Sequence, residues 1–80
     1  MSASSRVRAL SMLVPGDRAT VHRVQSHADR LDRLLALGVT VGAPVTVLQT
    51  FPGIVFLCDQ TELAVERAVA DTILVTLAEG

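Results

Sequence analysis

The stretch Val45-Thr46-Val47-Leu48-Gln49-Thr50-Phe51-Pro52-Gly53-Ile54-Val55-Phe56-Leu57-Cys58 decides the fold. Two apolar runs rich in β-branched residues flank a Phe-Pro-Gly turn, the pattern of an antiparallel hairpin. The turn combines one locked φ at the proline with one permissive residue at the glycine. Alternation with period two puts Val45, Val47, Ile54, Phe56 and Cys58 on one face, the expected core face. Leu48, Val55 and Leu57 then face outward, and Phe51 sits at the tip. A contiguous group of exposed apolar side chains is a candidate contact surface, so these four are the expected partner-binding residues.

No charged residue occurs from Leu34 to Cys58, a run long enough to span a bilayer. Gly38, Gly42, Pro44, Pro52 and Gly53 break it, and Thr40, Thr46, Gln49 and Thr50 interrupt its hydrophobicity. Strands around turns explain the run better than a membrane helix, and no direct membrane insertion is expected. The N-terminal residues Met1 to Arg8 lack the apolar core of a signal peptide.

Outward from the hairpin, Ser26 has the chemistry of a helix N-cap, with Asp29 in a capping-box position three residues on. The spacing predicts a helix over about 27–37, with Leu31, Leu34 and Leu35 on one face, Ala28 or Leu37 at its edges, and Gly38 as the left-handed stop. Before it, Arg18 to Val24 alternates as a strand, with Ala19, Val21 and Arg23 opposite Thr20, His22 and Val24. After the hairpin, Asp59-Gln60 is a tight turn and Thr61 to Val65 a further strand. Glu66 to Thr72 reads as a short helical turn with Ala68 and Val69 inward, and Ile73 to Leu77 closes the domain. The expected architecture is mostly β: a small SH3-like antiparallel β-barrel of about five strands, one inserted helix and a short C-terminal helical turn. Residues 1–9 are expected to be a flexible arm, and 10–80 a single domain.

The chain has 80 residues and a formal net charge of −1, half of it is apolar, and 19% is charged. That excludes a disordered chain. It also speaks against nucleic-acid binding, which a domain of this size achieves with a clear basic excess. Lys, Asn, Trp and Tyr are absent, so there is no aromatic platform for bases or proline-rich peptides. The single Cys fits a reducing cytoplasm.

The chemistry-bearing residues are few. His22, His27, Cys58 and Glu62 are the candidate metal ligands, for Fe(II) or another divalent transition metal. Their spacing lacks the paired short intervals of a structural zinc site, and two surface histidines are the simpler reading. Cys58 is in phase with Ile54 and Phe56 and has no basic neighbour, so a buried inert thiol is expected. There is no Gly-x-Ser-x-Gly elbow and no phosphate loop, and the Asp29 and Asp32 pair is one helical turn apart on a solvated flank. An enzyme is not expected, and no cofactor is required.

The order of these parts resembles the FeoA family, the small cytoplasmic accessory proteins of bacterial ferrous iron transport. Pro15-Gly16-Asp17 leads into a strand. The helix end, Arg33-Leu34-Leu35-Ala36-Leu37-Gly38-Val39-Thr40-Val41-Gly42, is similar to the family's Leu-x-x-Leu-Gly-[Leu/Val/Ile]-x-x-Gly. Val45 and Val47 follow, then Glu62-Leu63-Ala64-Val65, Ala68 and Ile73-Leu74-Val75. The resemblance covers about residues 10–77. It implies an SH3-like domain and a partner, the FeoB transporter with its cytosolic GTP-binding domain. It therefore implies a cytoplasmic location, peripheral to the inner membrane through the transporter. The same fold closes the repressors of the DtxR type, which carry a helix-turn-helix domain for which this chain has no room. Where the family's second strand often ends in basic residues, this chain has Gln49-Thr50. Two alternatives stand beside the docking module: a metal-responsive SH3-like domain, and a self-associating structural subunit that forms a homo-oligomer.

Overall fold

Val7–Ala9, Arg18–Val24, Pro44–Gln49, Ile54–Cys58, Thr61–Val65 and Ile73–Leu77 form six strands, β1 to β6, within the residues 7–77 that the computed structural model describes. They make one antiparallel sheet in the order β1-β6-β2-β3-β4-β5. A 3₁₀ turn at Leu10–Met12 and two helices, α1 at Ala28–Ala36 and α2 at Arg67–Ala70, complete the fold. This is the expected mostly-β, SH3-like architecture, with one strand more than read from the sequence. The sheet does not close: β1 and β5 are its edges. The extra strand is Val7–Ala9, which pairs with β6 through Val7↔Thr76, Arg8↔Val75 and Ala9↔Leu74. The arm expected over 1–9 is thus corrected for those three residues, and the remainder, with residues 78–80 of the expected domain, lies outside the described residues.

The core follows the alternation of the hairpin. Val45, Val47, Ile54, Phe56 and Cys58 are all buried, as period two requires. Leu10, Val21, Val39, Leu63, Ile73 and Val75 close around them. Two irregularities redirect side chains. In β2, Val21 opposes Val75 and Arg23 opposes Leu74, so His22 is an inserted bulge residue. The bulge returns Val24 to the core side opposite Ile73, where strict alternation had grouped it with exposed residues. In β3, Val47 opposes Phe56 and Gln49 opposes Val55, which makes Leu48 a second bulge residue.

The helices depart from expectation in detail. The N-cap of α1 is His27, not Ser26, and no side chain caps its first amides. The hydroxyl of Ser26 is instead buried without a hydrogen-bond partner. Only Leu34 of α1 is fully buried; Leu31 is half-buried, while Leu35 and Leu37 are exposed. The helix therefore seals the sheet with one side chain rather than a broad stripe. Gly38 ends it at φ +98°, where a Cβ would be strained. In α2, Val69 packs against the core as expected and Ala70 is buried, whereas Ala68, expected inward, is exposed.

The Asp59-Gln60 turn joins β4 to β5 with both residues at positive φ (51° and 78°), the two-residue geometry that matches strand twist. Phe51-Pro52 is a cis peptide at the other hairpin tip. Arg67 fastens α2 to the sheet. Its Nη1 donates to Ser11 O at 3.2 Å and its Nη2 to Thr50 O at 2.5 Å, while the Ser11 hydroxyl donates to Asp71. Among the described residues, no helix is long and apolar enough to cross a membrane. The uncharged run from Leu34 to Cys58 is the end of α1 followed by β3 and β4.

Candidate functional site

The β3–β4 hairpin presents the apolar group that alternation predicts, with a graded exposure. Phe51 is 81% exposed at the tip and Leu48 is 42% exposed at its bulge. Val55 and Leu57 lie on the outer face of β4 and are half-buried. Val55 is flanked by Gln49 and Ala64, and Leu57 by Thr46 and Glu62. The central strand thus carries the two covered residues, and the bulge and tip carry the two open ones. The bulge matters here: an extra residue in β3 turns Leu48 away from the ladder, where an unbulged strand would have it opposite a β4 residue.

Two further residues belong to this end of the sheet and carry no signal in the hairpin's own alternation. Met12 and Val14 are 71% and 58% exposed. The segment that bears them is tied to the hairpin: Gly16 N donates to Val47 O at 2.8 Å, and Arg67 bridges the carbonyls of Ser11 and Thr50. These long-range hydrogen bonds tie the segment from Ser11 to Gly16 to β3 and its end at Thr50. A Pro15-Gly16 turn locked by the Val14 amide donating to Asp17 Oδ2 at 3.0 Å holds Val14 outward.

The four candidate metal ligands are not brought together. His22 is exposed at the β2 bulge, His27 is exposed at the start of α1, and Glu62 is exposed on edge strand β5. Cys58 is buried at the end of β4. Among the described residues, no group of three or more His, Cys, Asp or Glu side chains is arranged to hold a metal ion.

Cys58 is structural. Its thiol donates to Gly38 O at 3.4 Å, linking β4 to the stop of α1. Burial pushes the thiol above its ordinary value, and the neighbouring Asp59 carboxylate adds to the rise. A thiolate is the reactive form, so the folded chain suppresses it twice, by access and by charge. We expect alkylation of native Cys58 at pH 8 to run at the rate of global opening, with full labelling only in denaturant; rapid labelling of the folded chain would contradict this placement. The sign for stability follows. The folded thiol holds its proton better than the unfolded one, so its contribution is present below pH 9.0 and lost as pH rises beyond it.

With this geometry in view, the comparisons with known proteins agree. The FeoA domain model matches residues 8–77. The solution NMR structure of the FeoA protein from Chlorobium tepidum is 34% identical, with a TM-score of 0.85, and the match covers 91% of this chain and 72% of that one. The crystal structure of an iron uptake regulatory protein, FeoA, is 26% identical, with a TM-score of 0.83 and coverage of 90% and 99%. A manganese-dependent transcriptional repressor is 23% identical, with a TM-score of 0.82 over 90% of this chain and 41% of the repressor, a likeness of fold alone. No curated protein matches. A family model that spans nearly all the described residues, together with a relative 34% identical over 91% of this chain, settles the kinship: this chain belongs to the FeoA domain family.

Proposed function

We propose that this chain is a non-catalytic accessory module of ferrous iron transport that docks on the cytosolic part of the FeoB-type transporter. The family match over residues 8–77 carries the role in iron transport. The apolar end of the sheet supports docking: Phe51 and Leu48 are exposed and Val55 and Leu57 half-buried, and Met12 and Val14 are exposed on the segment tied to β3. A contact of this size is weak and reversible, because burial of a few apolar side chains has to offset the entropy of association. Weak binding suits a regulator. A module that prefers one state of the transporter shifts its population toward that state without chemistry of its own.

An NMR titration of the labelled chain with the transporter's cytosolic domain from the same organism tests the proposal. Amide shifts clustering over residues 48–57, with weaker ones at Met12 and Val14, are expected. Shifts confined to another surface would discard this face and keep the role. An absence of shifts at high micromolar concentration would move the contact to the transporter's membrane portion or overturn it. A concentration-dependent mass of the chain alone, abolished by Phe51→Glu, would assign the face to a second copy.

A further inference from the structure

The two edges of the sheet are not alike. β1 is three residues long and has Arg8 at its centre. β5 is Thr61-Glu62-Leu63-Ala64-Val65, with no proline, no basic side chain and no bulge in its register against β4. Short length, proline, bulges and charges keep an edge from pairing with another chain, and β5 has only the charge of Glu62.

The hydrogen-bond pattern shows which groups this edge offers. Asp59-Gln60 is a two-residue turn, so Cys58 and Thr61 on either side of it bond each other. The bond from Asp59 N to Pro44 O at 2.9 Å agrees. It turns Asp59, and by alternation Leu57 and Val55, toward β3, and leaves Cys58, Phe56 and Ile54 to bond β5. Their partners Thr61, Leu63 and Val65 therefore direct their backbone groups at β4. The N–H and C=O of Glu62 and Ala64 point the other way, where the sheet has no further strand. Both residues are exposed, and none of the turn or loop bonds of the described residues reaches these groups.

We infer that β5 pairs antiparallel with β5 of a second copy, about a two-fold axis at Leu63. Three symmetric registers bring outward backbone groups together. Centring on Glu62 sets two Glu62 carboxylates opposite each other, and centring on Ala64 sets Glu62 opposite Glu66 of the second copy. Like charges directly opposed are unfavourable. Centring on Leu63 sets Glu62 opposite Ala64 of the second copy, and Thr61 opposite its Val65, with no two charges facing. In this register each Glu62–Ala64 pair exchanges both its N–H···O bonds, so every outward group of both edges is satisfied. The two sheets become one continuous sheet. The hairpin tip takes no part in the contact, so this dimer is independent of the docking surface. A strand-edge contact of this size has a dissociation constant on the order of a millimolar, because four backbone bonds do little more than offset the entropy of association.

The test is a dilution series of the labelled chain from about 2 mM to about 0.05 mM, followed by NMR, with sedimentation for the mass. The amides of Glu62 and Ala64 should shift most with concentration, because they gain the new bonds. Two variants at exposed Ala64 read the register, and their spectra at high dilution confirm the fold. Ala64→Lys places a cation opposite Glu62 of the second copy twice in each dimer and should tighten it by about fivefold. Ala64→Glu places a like charge there and should weaken it by about fivefold. Phe51→Glu should dimerise as the parent does. Glu62 and Ala64 amides that stay fixed across the series in both the parent and Ala64→Lys would overturn the inference. So would variants of opposite charge that move the equilibrium the same way, or self-association that Phe51→Glu abolishes. Each of these failures leaves the family's transport role and the transporter titration untouched.

Discussion

Replacing Phe56 with alanine is expected to leave the domain largely unfolded at 37 °C. Phe56 is fully buried, the largest such side chain, and sits in β4 between Val47 of β3 and Leu63 of β5. Truncation of a buried Phe costs about 3–5 kcal/mol in transfer and cavity terms. A chain of this length has a total stability of roughly 4–12 kcal/mol, and small domains lie toward the lower end. The cavity cannot close easily, because its walls are strands pinned on both sides by ladder hydrogen bonds. At about 4–8 °C per kcal/mol for a domain of this size, the melting temperature should fall on the order of 20 °C. A thermal melt followed by circular dichroism checks it. A fall of only a few degrees would show that the core is centred elsewhere.

The second large effect concerns the surface. Phe51→Glu combined with Leu48→Glu should weaken binding to the transporter's cytosolic domain by more than about thirtyfold, since a central aromatic anchor commonly carries 2 kcal/mol or more. Stability should barely change, because both residues are exposed. That separation is the reason for choosing them. Val55 is half-buried on a central strand, and a charge there would confuse lost contact with lost fold. Isothermal titration calorimetry with the double variant reads the affinity, and the melt reads the fold. Unchanged affinity in a folded variant would remove the hairpin end from the interface.

What the sequence discloses and what it conceals divide along a physical line. Signals carried by neighbours in the chain were legible. The hairpin's alternation named five core residues, Gly38 marked the helix stop, and Asp59-Gln60 marked the tight turn. Features that depend on distant partners were not. Val7-Arg8-Ala9 is too short to show a period, and becomes a strand only because β6 offers it an edge. The bulge at His22 leaves no mark in composition, yet it decides that Val24 is inside. Ser26 has cap chemistry, but the chain path from β2 puts His27 at the cap position instead. For the candidate site, Leu48, Val55 and Leu57 followed from period two and Phe51 from its place in the turn. Met12 and Val14 could not be attached to them without the bonds of Gly16 and Arg67.

The pairing of β1 with β6 has a mechanical consequence. The two strands are antiparallel, with Val7 beside Thr76 and Ala9 beside Leu74. A tension applied outward through residues 7 and 77 therefore pulls both strands away from the same end of their shared ladder. The load falls on one hydrogen bond at a time, as in opening a zip, instead of shearing the whole row together. Such a domain peels from its β1 edge under small forces, while the β3–β4–β5 meander, off the line of pull, stays assembled until β6 has left β2.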